Sequence, residues 1–221
     1  MFFEYLKYFF WASFRRKKID KLLIKYKTLY KGIVLDIGGI QRGIFKPPKK
    51  QVKKWIFADI NKKIKPDIVL DVANMSKLKN NSIDVINAIE LFEHVKEIDK
   101  GLEECFRILK KGGFLILTVP FLYGIHPSPA DYQRWTKDKW IMELNKQGFK
   151  INKIIIMGLY FTVLCDMFKL FIESMVLPFC IFRYPLTIFL SLIVSLDDTT
   201  FVLKNNTLNK YHAGYFIIAK K

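Results

Sequence analysis

The amino-acid sequence predicts an α/β domain: seven strands in one mostly parallel sheet, helices on both faces, and a hydrophobic helical insertion ahead of the last strand. Three observations carry this. From residue 31 onward short apolar runs alternate with stretches of helical period, the pattern of βαβ units. Three of the early runs each end in an acidic residue. A weakly charged stretch over residues 159–196 then interrupts the alternation before a terminal apolar run.

The strands follow in order. Ile33-Val34-Leu35 closes on Asp36-Ile37-Gly38-Gly39, Trp55 to Ala58 closes on Asp59, and Ile68-Val69-Leu70 closes on Asp71. Pro66 and the short spacing between Asp59 and Asp71 leave no room for a full helix there. Val85 to Ile89 is the fourth strand, and the helix after it carries Leu102, Cys105, Phe106 and Leu109 and is expected to stop at Gly112-Gly113. Phe114 to Val119 is the fifth strand, Lys137 to Lys146 a helix closed by Gly148, Ile151 to Met157 the sixth strand and Tyr215 to Ala219 the seventh. The segments expected are thus an N-terminal amphipathic piece (1–30), the core (31–158), the insertion (159–210) and the last strand (211–221).

With 221 residues the chain holds one domain plus an insertion, and 51% hydrophobic with 26% charged residues excludes a disordered or collagen-like polymer. Cys105, Cys165 and Cys180 have no C-x-x-C or Cys/His spacing, so neither a disulfide framework nor a zinc site is indicated, and no metal is expected. The net charge of +17 is uneven: positions 1–65 hold 18 basic and 4 acidic residues. Such a field suits phosphate groups or an anionic membrane surface, unless it is merely a lysine-rich solvated face. No RNA-recognition aromatic signature accompanies it, so nucleic acid ranks last among partners.

Residues 1–14 are strongly aromatic and run into Arg15-Arg16-Lys17-Lys18, the composition of a helix lying among lipid headgroups or of one packed on its own domain. Glu4 and the late basic cluster do not fit a secretory leader, so the expected location is the cytoplasm, with peripheral contact to the inner membrane face. In the insertion the only charged residues over 159–196 are Asp166, Lys169, Glu173 and Arg183. Arg183, Pro178 and Pro185 argue against a spanning helix over Met175 to Leu196. Helices that cover the active site, a homodimer interface or the bilayer surface are preferred.

Asp36, Asp59 and Asp71 end adjacent strands, and in an open α/β sheet ligands bind beyond the carboxyl ends of the strands. Gly38-Gly39 lets backbone amides approach a ligand, and Asp59 stands about 20 residues on, where an acidic side chain accepts ribose hydroxyls.

Taken with Pro66-Asp67-Ile68-Val69-Leu70-Asp71-Val72-Ala73, Ser82-Ile83-Asp84-Val85, Glu90-Leu91-Phe92-Glu93-His94-Val95 and Arg107-Ile108-Leu109-Lys110-Lys111-Gly112-Gly113, these segments resemble the class I S-adenosylmethionine-dependent methyltransferases, in their small methyltransferase-11-like group. The resemblance runs from about Gly32 to Lys153 and returns at Gly214 to Lys220. It implies a Rossmann-like sheet whose seventh strand is antiparallel, and S-adenosylmethionine as cofactor. It gives Asp36, Gly38 and Gly39 to the methionine end, Asp59 to the ribose, Asp71 and Val72 to the adenine border, and Glu90 to the pocket wall. Ile40 stands where the family commonly has glycine.

The loop from Pro120 to Thr136 resembles the His-Pro-x-Pro-x-Asp-Tyr-x-Arg-aromatic-Thr segment of a subset of the family, whose members often accompany glycan or lipid-glycan assembly. His126 is the candidate catalytic residue, because an imidazole can take a hydroxyl proton near neutral pH. His94, Tyr132 and Arg134 are candidate substrate contacts; alternatively Asp131, Tyr132 and Arg134 brace the loop. The turn Ala88-Ile89-Glu90-Leu91 lacks the Asn/Asp-Pro-Pro-aromatic sequence of exocyclic-nitrogen methylation. The expected activity is methyl transfer to a hydroxyl or carboxyl of a sugar, lipid-linked glycan or other amphipathic small molecule. The alternatives are a soluble small-molecule enzyme dimerising through the insertion and a cofactor-binding protein without turnover.

Overall fold

The computed structural model describes residues 2–39, 43–127, 129–174 and 183–221. Ile40, the departure from the glycine pattern, and residues 175–182 of the apolar stretch, with Pro178 and Cys180, lie outside the described residues. The chain divides into two compact units. One comprises residues 24–40, 46–155 and 215–221; the other comprises residues 1–23, 41–45 and 156–214.

The first unit holds the sheet, apart from the last two residues of its sixth strand and the first residue of its seventh. Its strands are β1 (Gly32–Ile37), β2 (Val52–Asp59), β3 (Ile68–Val69), β4 (Ile83–Ile89), β5 (Leu109–Pro120), β6 (Lys150–Met157) and β7 (Gly214–Lys220), in the spatial order β3-β2-β1-β4-β5-β7-β6. Pairs β1–β2, β1–β4, β2–β3 and β4–β5 are parallel. The last strand runs the other way: the Gly112 amide donates to the Lys221 carbonyl, and the Lys221 amide to the Gly113 carbonyl, which brings the end of β7 to the start of β5. The sheet is therefore mixed.

Alternation sorts the strand side chains. Leu35, Ile86, Leu115, Leu117 and Ile217 join one apolar core with Leu102, Cys105 and Ile108 of α3 (Ile98–Ile108) and Trp140 and Leu144 of α4 (Lys137–Lys146). Val34, Val85 and Ile116 face the opposite way and are equally buried, as strands covered on both sides must be. The start of α4 is set by Thr136, whose hydroxyl accepts the Lys139 amide, and Gly148 (φ +90°) follows its end in the left-handed region. Two sequence expectations need adjustment. Helix α3 ends at Ile108 rather than at Gly112-Gly113, because Leu109 is already extended. Gly113 is instead required by close packing: a Cβ there would lie 2.9 Å from the carbonyl oxygens of Asp84 and Lys110. Among the described residues the β1–β2 crossover contains no helix.

The second unit contains α1 (Phe2–Trp11), α2 (Phe14–Lys25), which continues two residues into the first unit, α5 (Tyr160–Ser174), α6 (Arg183–Val194) and α7 (Thr200–Lys204). Buried polar groups tie its helix ends. The Asp166 carboxylate accepts the Phe14 and Arg15 amides at 2.6 and 2.9 Å, capping α2 from another helix. Asp197 accepts the amides of Leu159, Phe161 and Thr162 and the Thr162 hydroxyl, at 2.6–3.0 Å, capping α5. The Lys169 ammonium donates to the Ala12 carbonyl just beyond α1.

Phe14, Cys165, Leu190 and Val194 form a small apolar core in this unit, yet α5 and α6 also carry large apolar side chains outward. On α5, Thr162, Cys165, Asp166 and Lys169 are buried, whereas Leu164, Met167, Phe168 and Phe171 are exposed at i, i+3, i+4, i+7 spacing. On α6, Tyr184, Ile188 and Leu192 are exposed in a row along one face. The basic cluster is less available than the sequence suggests: Arg15 is buried, and Lys18 pairs with Asp198 at 3.4 Å. Among the described residues no helix is long and apolar enough to cross a membrane.

Candidate active site

The sheet order sets β3, β2, β1 and β4 side by side, so the ends that carry Asp71, Asp59, Gly38 and Glu90 share one edge. Gly38 turns the chain off β1 at φ +70°, and its amide donates to the Ala58 carbonyl at 2.9 Å, one residue before Asp59. A Cβ on Gly38 would sit 3.0 Å from Leu91, so the glycine turn and the end of β4 adjoin.

Asp36 is committed inward. One carboxylate oxygen accepts the Asn87 side-chain amide at 2.7 Å, the other the Trp55 indole N–H at 3.1 Å. The Tyr30 hydroxyl donates to Asn87 at 2.7 Å, completing a network across β4, β1 and β2. Burial pushes the Asp36 carboxyl above its ordinary range, against the two donors that favour its charged form. Both its oxygens lie 2.3–2.5 Å from where a Gly39 Cβ would be, so Gly39 is fixed by close approach to this carboxylate. The side chain supports the glycine turn from beneath.

Asp59 stands half-buried at the rim, and one of its oxygens accepts the Asn61 amide at 2.7 Å. Asp71 is exposed and accepts the Ala73 amide at 2.9 Å. The Val72 side chain points into the core, where a Cβ on Gly101 would touch it at 3.6 Å, so only its backbone can border a ligand. Glu90 is a buried residue at φ +55°, an unusual conformation for a side-chain-bearing residue. Thr118 of β5 fixes it, its hydroxyl donating to the Glu90 carboxylate at 2.8 Å and its carbonyl accepting the Glu90 amide at 3.0 Å. Strain held in place at a strand end is a mark of a functional position.

Beyond β4 and β5 the chain assembles a second group. The 3₁₀ turn Phe92–His94 buries the Glu93 carboxylate, and the Nε2 atoms of His94 and His126 lie 3.8 and 3.9 Å from its Oε1. The imidazoles meet edge to face at 5.1 Å. His94 Nδ1 lies 2.6 Å from the Ala130 carbonyl, and His126 Nδ1 lies 3.0 Å from the Gly124 carbonyl and 3.4 Å from Asp131. Arg134 forks onto both Asp131 oxygens, and the His126 amide donates to Asp131 at 3.1 Å. The guanidinium, outweighing the opposing effect of burial, holds the Asp131 carboxyl down to about 2. Arg134 thus braces the loop, and the Tyr132 amide donates to the Glu93 carbonyl at 2.8 Å while its ring stays exposed.

Five participants were not singled out by the sequence reading: Tyr30, Trp55, Asn87, Glu93 and Thr118. Asn87 and Thr118 do leave a trace, as polar residues inside otherwise apolar strand runs, where a buried polar group needs a partner. Glu93 lies inside the quoted family segment, but only the turn after β4 shows that it is buried.

Residues 49–117, from β2 into β5, match the family described as a methyltransferase domain. The strand order is that of the class I methyltransferase fold. Comparison with curated protein sequences gives no match. Among solved structures, a SAM-dependent methyltransferase from Archaeoglobus fulgidus superposes with TM-score 0.56 at 17% identity, over 100% of both chains. Phosphoethanolamine N-methyltransferase 2 from Haemonchus contortus, solved in complex with S-adenosyl-L-methionine, gives 0.56 at 16%, over 93% of this chain and 52% of that one. The cyclase SpnF gives 0.59 at 13% identity, over 92% of this chain and 80% of its own. At these identities the likeness shows the methyltransferase fold, the one expected from the sequence, down to the antiparallel last strand.

Proposed function

We propose that the protein is an S-adenosylmethionine-dependent methyltransferase directed to a hydroxyl group of an amphipathic small molecule, a sugar or lipid-linked glycan, at the cytoplasmic face of a membrane. The observation that carries the cofactor reading is the β1–β2 edge, where the Gly38-Gly39 turn, held by Asp36, adjoins the half-buried Asp59, inside a chain that matches the methyltransferase-domain family. Asp59 accepts the ribose hydroxyls, Gly38 and Gly39 lie against the methionine moiety, Asp71 and the Val72 backbone border the adenine, and Glu90 closes the wall.

In the transfer, the acceptor oxygen forms a bond to the methyl carbon as the carbon–sulfur bond breaks, and S-adenosylhomocysteine leaves as a neutral thioether. The acceptor's proton departs through the Glu93–His94–His126 group, of which His126 is the member facing solvent. Such a group is needed when the acceptor must lose a proton, which favours oxygen acceptors. Positioning supplies much of the remaining acceleration.

The membrane part rests on the outward apolar stripes of α5 and α6. A helix that buries Thr, Asp and Lys and exposes Leu, Met and Phe is built for an apolar surrounding, and the net charge of +17 matches an anionic leaflet. The protein should pellet with vesicles containing anionic lipid at low ionic strength, and Phe168→Glu with Leu192→Glu should release it. A wild-type protein that stays in the supernatant and sediments as a dimer would instead assign these stripes to a subunit interface. Transfer of a labelled methyl group into lipid and glycan extracts tests the acceptor class, and label confined to water-soluble amines would overturn it.

A further inference from the structure

We infer that Glu93, His94 and His126 form a binding site for one divalent transition-metal ion. The donor atoms of these three residues all lie within 4.8 Å of one another. Two imidazoles and a carboxylate are the donor set that suits zinc, iron(II), cobalt and nickel ions, with positions left open for water or substrate.

The orientation of the rings points to a metal more strongly than their proximity does. Each imidazole has its Nδ1 against a backbone carbonyl, Ala130 for His94 and Gly124 for His126. A carbonyl only accepts, so Nδ1 carries the hydrogen in both rings, and in the neutral tautomer both Nε2 lone pairs face the Glu93 carboxylate. Both rings thus turn Nε2, the nitrogen left for a metal, toward the Glu93 carboxylate. The carboxylate of Asp131, 3.4 Å from His126 Nδ1, adds the carboxylate–histidine arrangement that raises the basicity of a ligating imidazole.

The distances suit an ion after a small adjustment. Ligand atoms about 2.1 Å from a tetrahedral ion lie roughly 3.4 Å apart. The two carboxylate–imidazole distances of 3.8 and 3.9 Å close by a few tenths of an ångström, and the remaining pair, within 4.8 Å, closes as His126 moves on its loop. Glu93 is almost wholly enclosed, whereas the His126 side chain is 33% exposed, so an open coordination position would lie on the solvent side of the cluster. The site stands on this geometry alone. Its use, to hold the acceptor oxygen and lower its proton affinity, rests on the methyl-transfer reading and would replace the direct proton transfer to His126 described above, with His126 as ligand.

The test is calorimetric titration of the chelator-stripped full-length protein with zinc chloride, repeated with cobalt(II) and read by visible absorption. One equivalent should bind, with a cobalt spectrum typical of nitrogen and oxygen ligands, and His126→Ala should weaken binding about tenfold or more. His126→Ala removes a partly exposed side chain and should stay folded; Glu93→Gln is the second variant, checked by circular dichroism. The absence of a stoichiometric zinc heat, or zinc binding equal in wild type and His126→Ala, would overturn the site and leave the three residues as an ion-pair cluster. S-adenosylmethionine affinity, measured separately on the stripped protein, distinguishes the failures: cofactor binding without zinc binding sinks only this inference, and zinc binding without cofactor binding sinks only the methyl-transfer reading.

Discussion

Replacing Gly39 with alanine tests how the glycine turn after β1 is built. The new Cβ would lie 2.3, 2.4 and 2.5 Å from Oδ1, Cγ and Oδ2 of Asp36, distances at which something must move. The carboxylate cannot swing aside freely, since Asn87 and Trp55 hold its two oxygens at 2.7 and 3.1 Å. Losing one hydrogen bond to a charged group costs about 1.5–3 kcal/mol. For a chain of this size, that lowers the melting temperature by roughly 3–12 °C. Gly39→Ala should therefore melt lower by such an amount and bind S-adenosylmethionine more weakly. The decisive comparison is the cycle with Asp36→Ala, measured by denaturant unfolding: once the carboxylate is gone the clash is gone, so the two losses should not add. Additive losses, or a Gly39→Ala protein as stable as wild type, would refute the argument that Asp36 fixes this glycine.

Two further perturbations probe the supports on either side. Asp197→Ala removes the acceptor for three amides and a hydroxyl at the head of α5 and should cost about 2 kcal/mol or more, read by thermal unfolding; an unchanged midpoint would mean that water replaces the cap at no cost. Asp131 titrates near 2 in the folded protein against about 3.9 in an unfolded chain, so its pairing with Arg134 contributes stability above pH 4 that fades as pH falls toward 2. The difference in melting temperature between wild type and Arg134→Ala should shrink across that window, and a difference that stays constant from pH 5 to pH 2 would show the pair to be energetically idle.

Much of the sheet is legible in the sequence because buried parallel strands read as apolar runs that close on polar turns. Trp55 to Ala58 and Val85 to Ile89 lie inside β2 and β4, and helix α4 spans Lys137–Lys146 as its period and Gly148 indicate. Gly112-Gly113 misled because a glycine pair that stops a helix and one that lets strands approach closely look alike in sequence. What distinguishes them is the Asp84 carbonyl, which only the folded sheet brings near. The insertion shows its apolar period but not its orientation: nothing in Asp166 or Asp197 as letters says that each caps a helix distant in the chain. At the proposed site, the place of Asp59 at the end of β2 beside the glycine turn is readable by counting along the chain. The meeting of Glu93 with His126 depends on two loops that converge beyond β4 and β5, and the carbonyls that orient the histidines come from irregular backbone with no residue signature.

The central claim, that the edge formed by Gly38, Gly39 and Asp59 holds S-adenosylmethionine, is tested most directly by calorimetric titration of the cofactor into wild type and Asp59→Ala. The account predicts one site in the wild type and an affinity at least about tenfold weaker in the variant, from the loss of a charge-assisted ribose hydrogen bond worth about 1.5–3 kcal/mol. The variant should retain its fold, because Asp59 lies at the rim, where among the described residues its carboxylate accepts the amide of Asn61, two residues on. Equal affinities in two folded proteins, or no cofactor heat in the wild type, would contradict it.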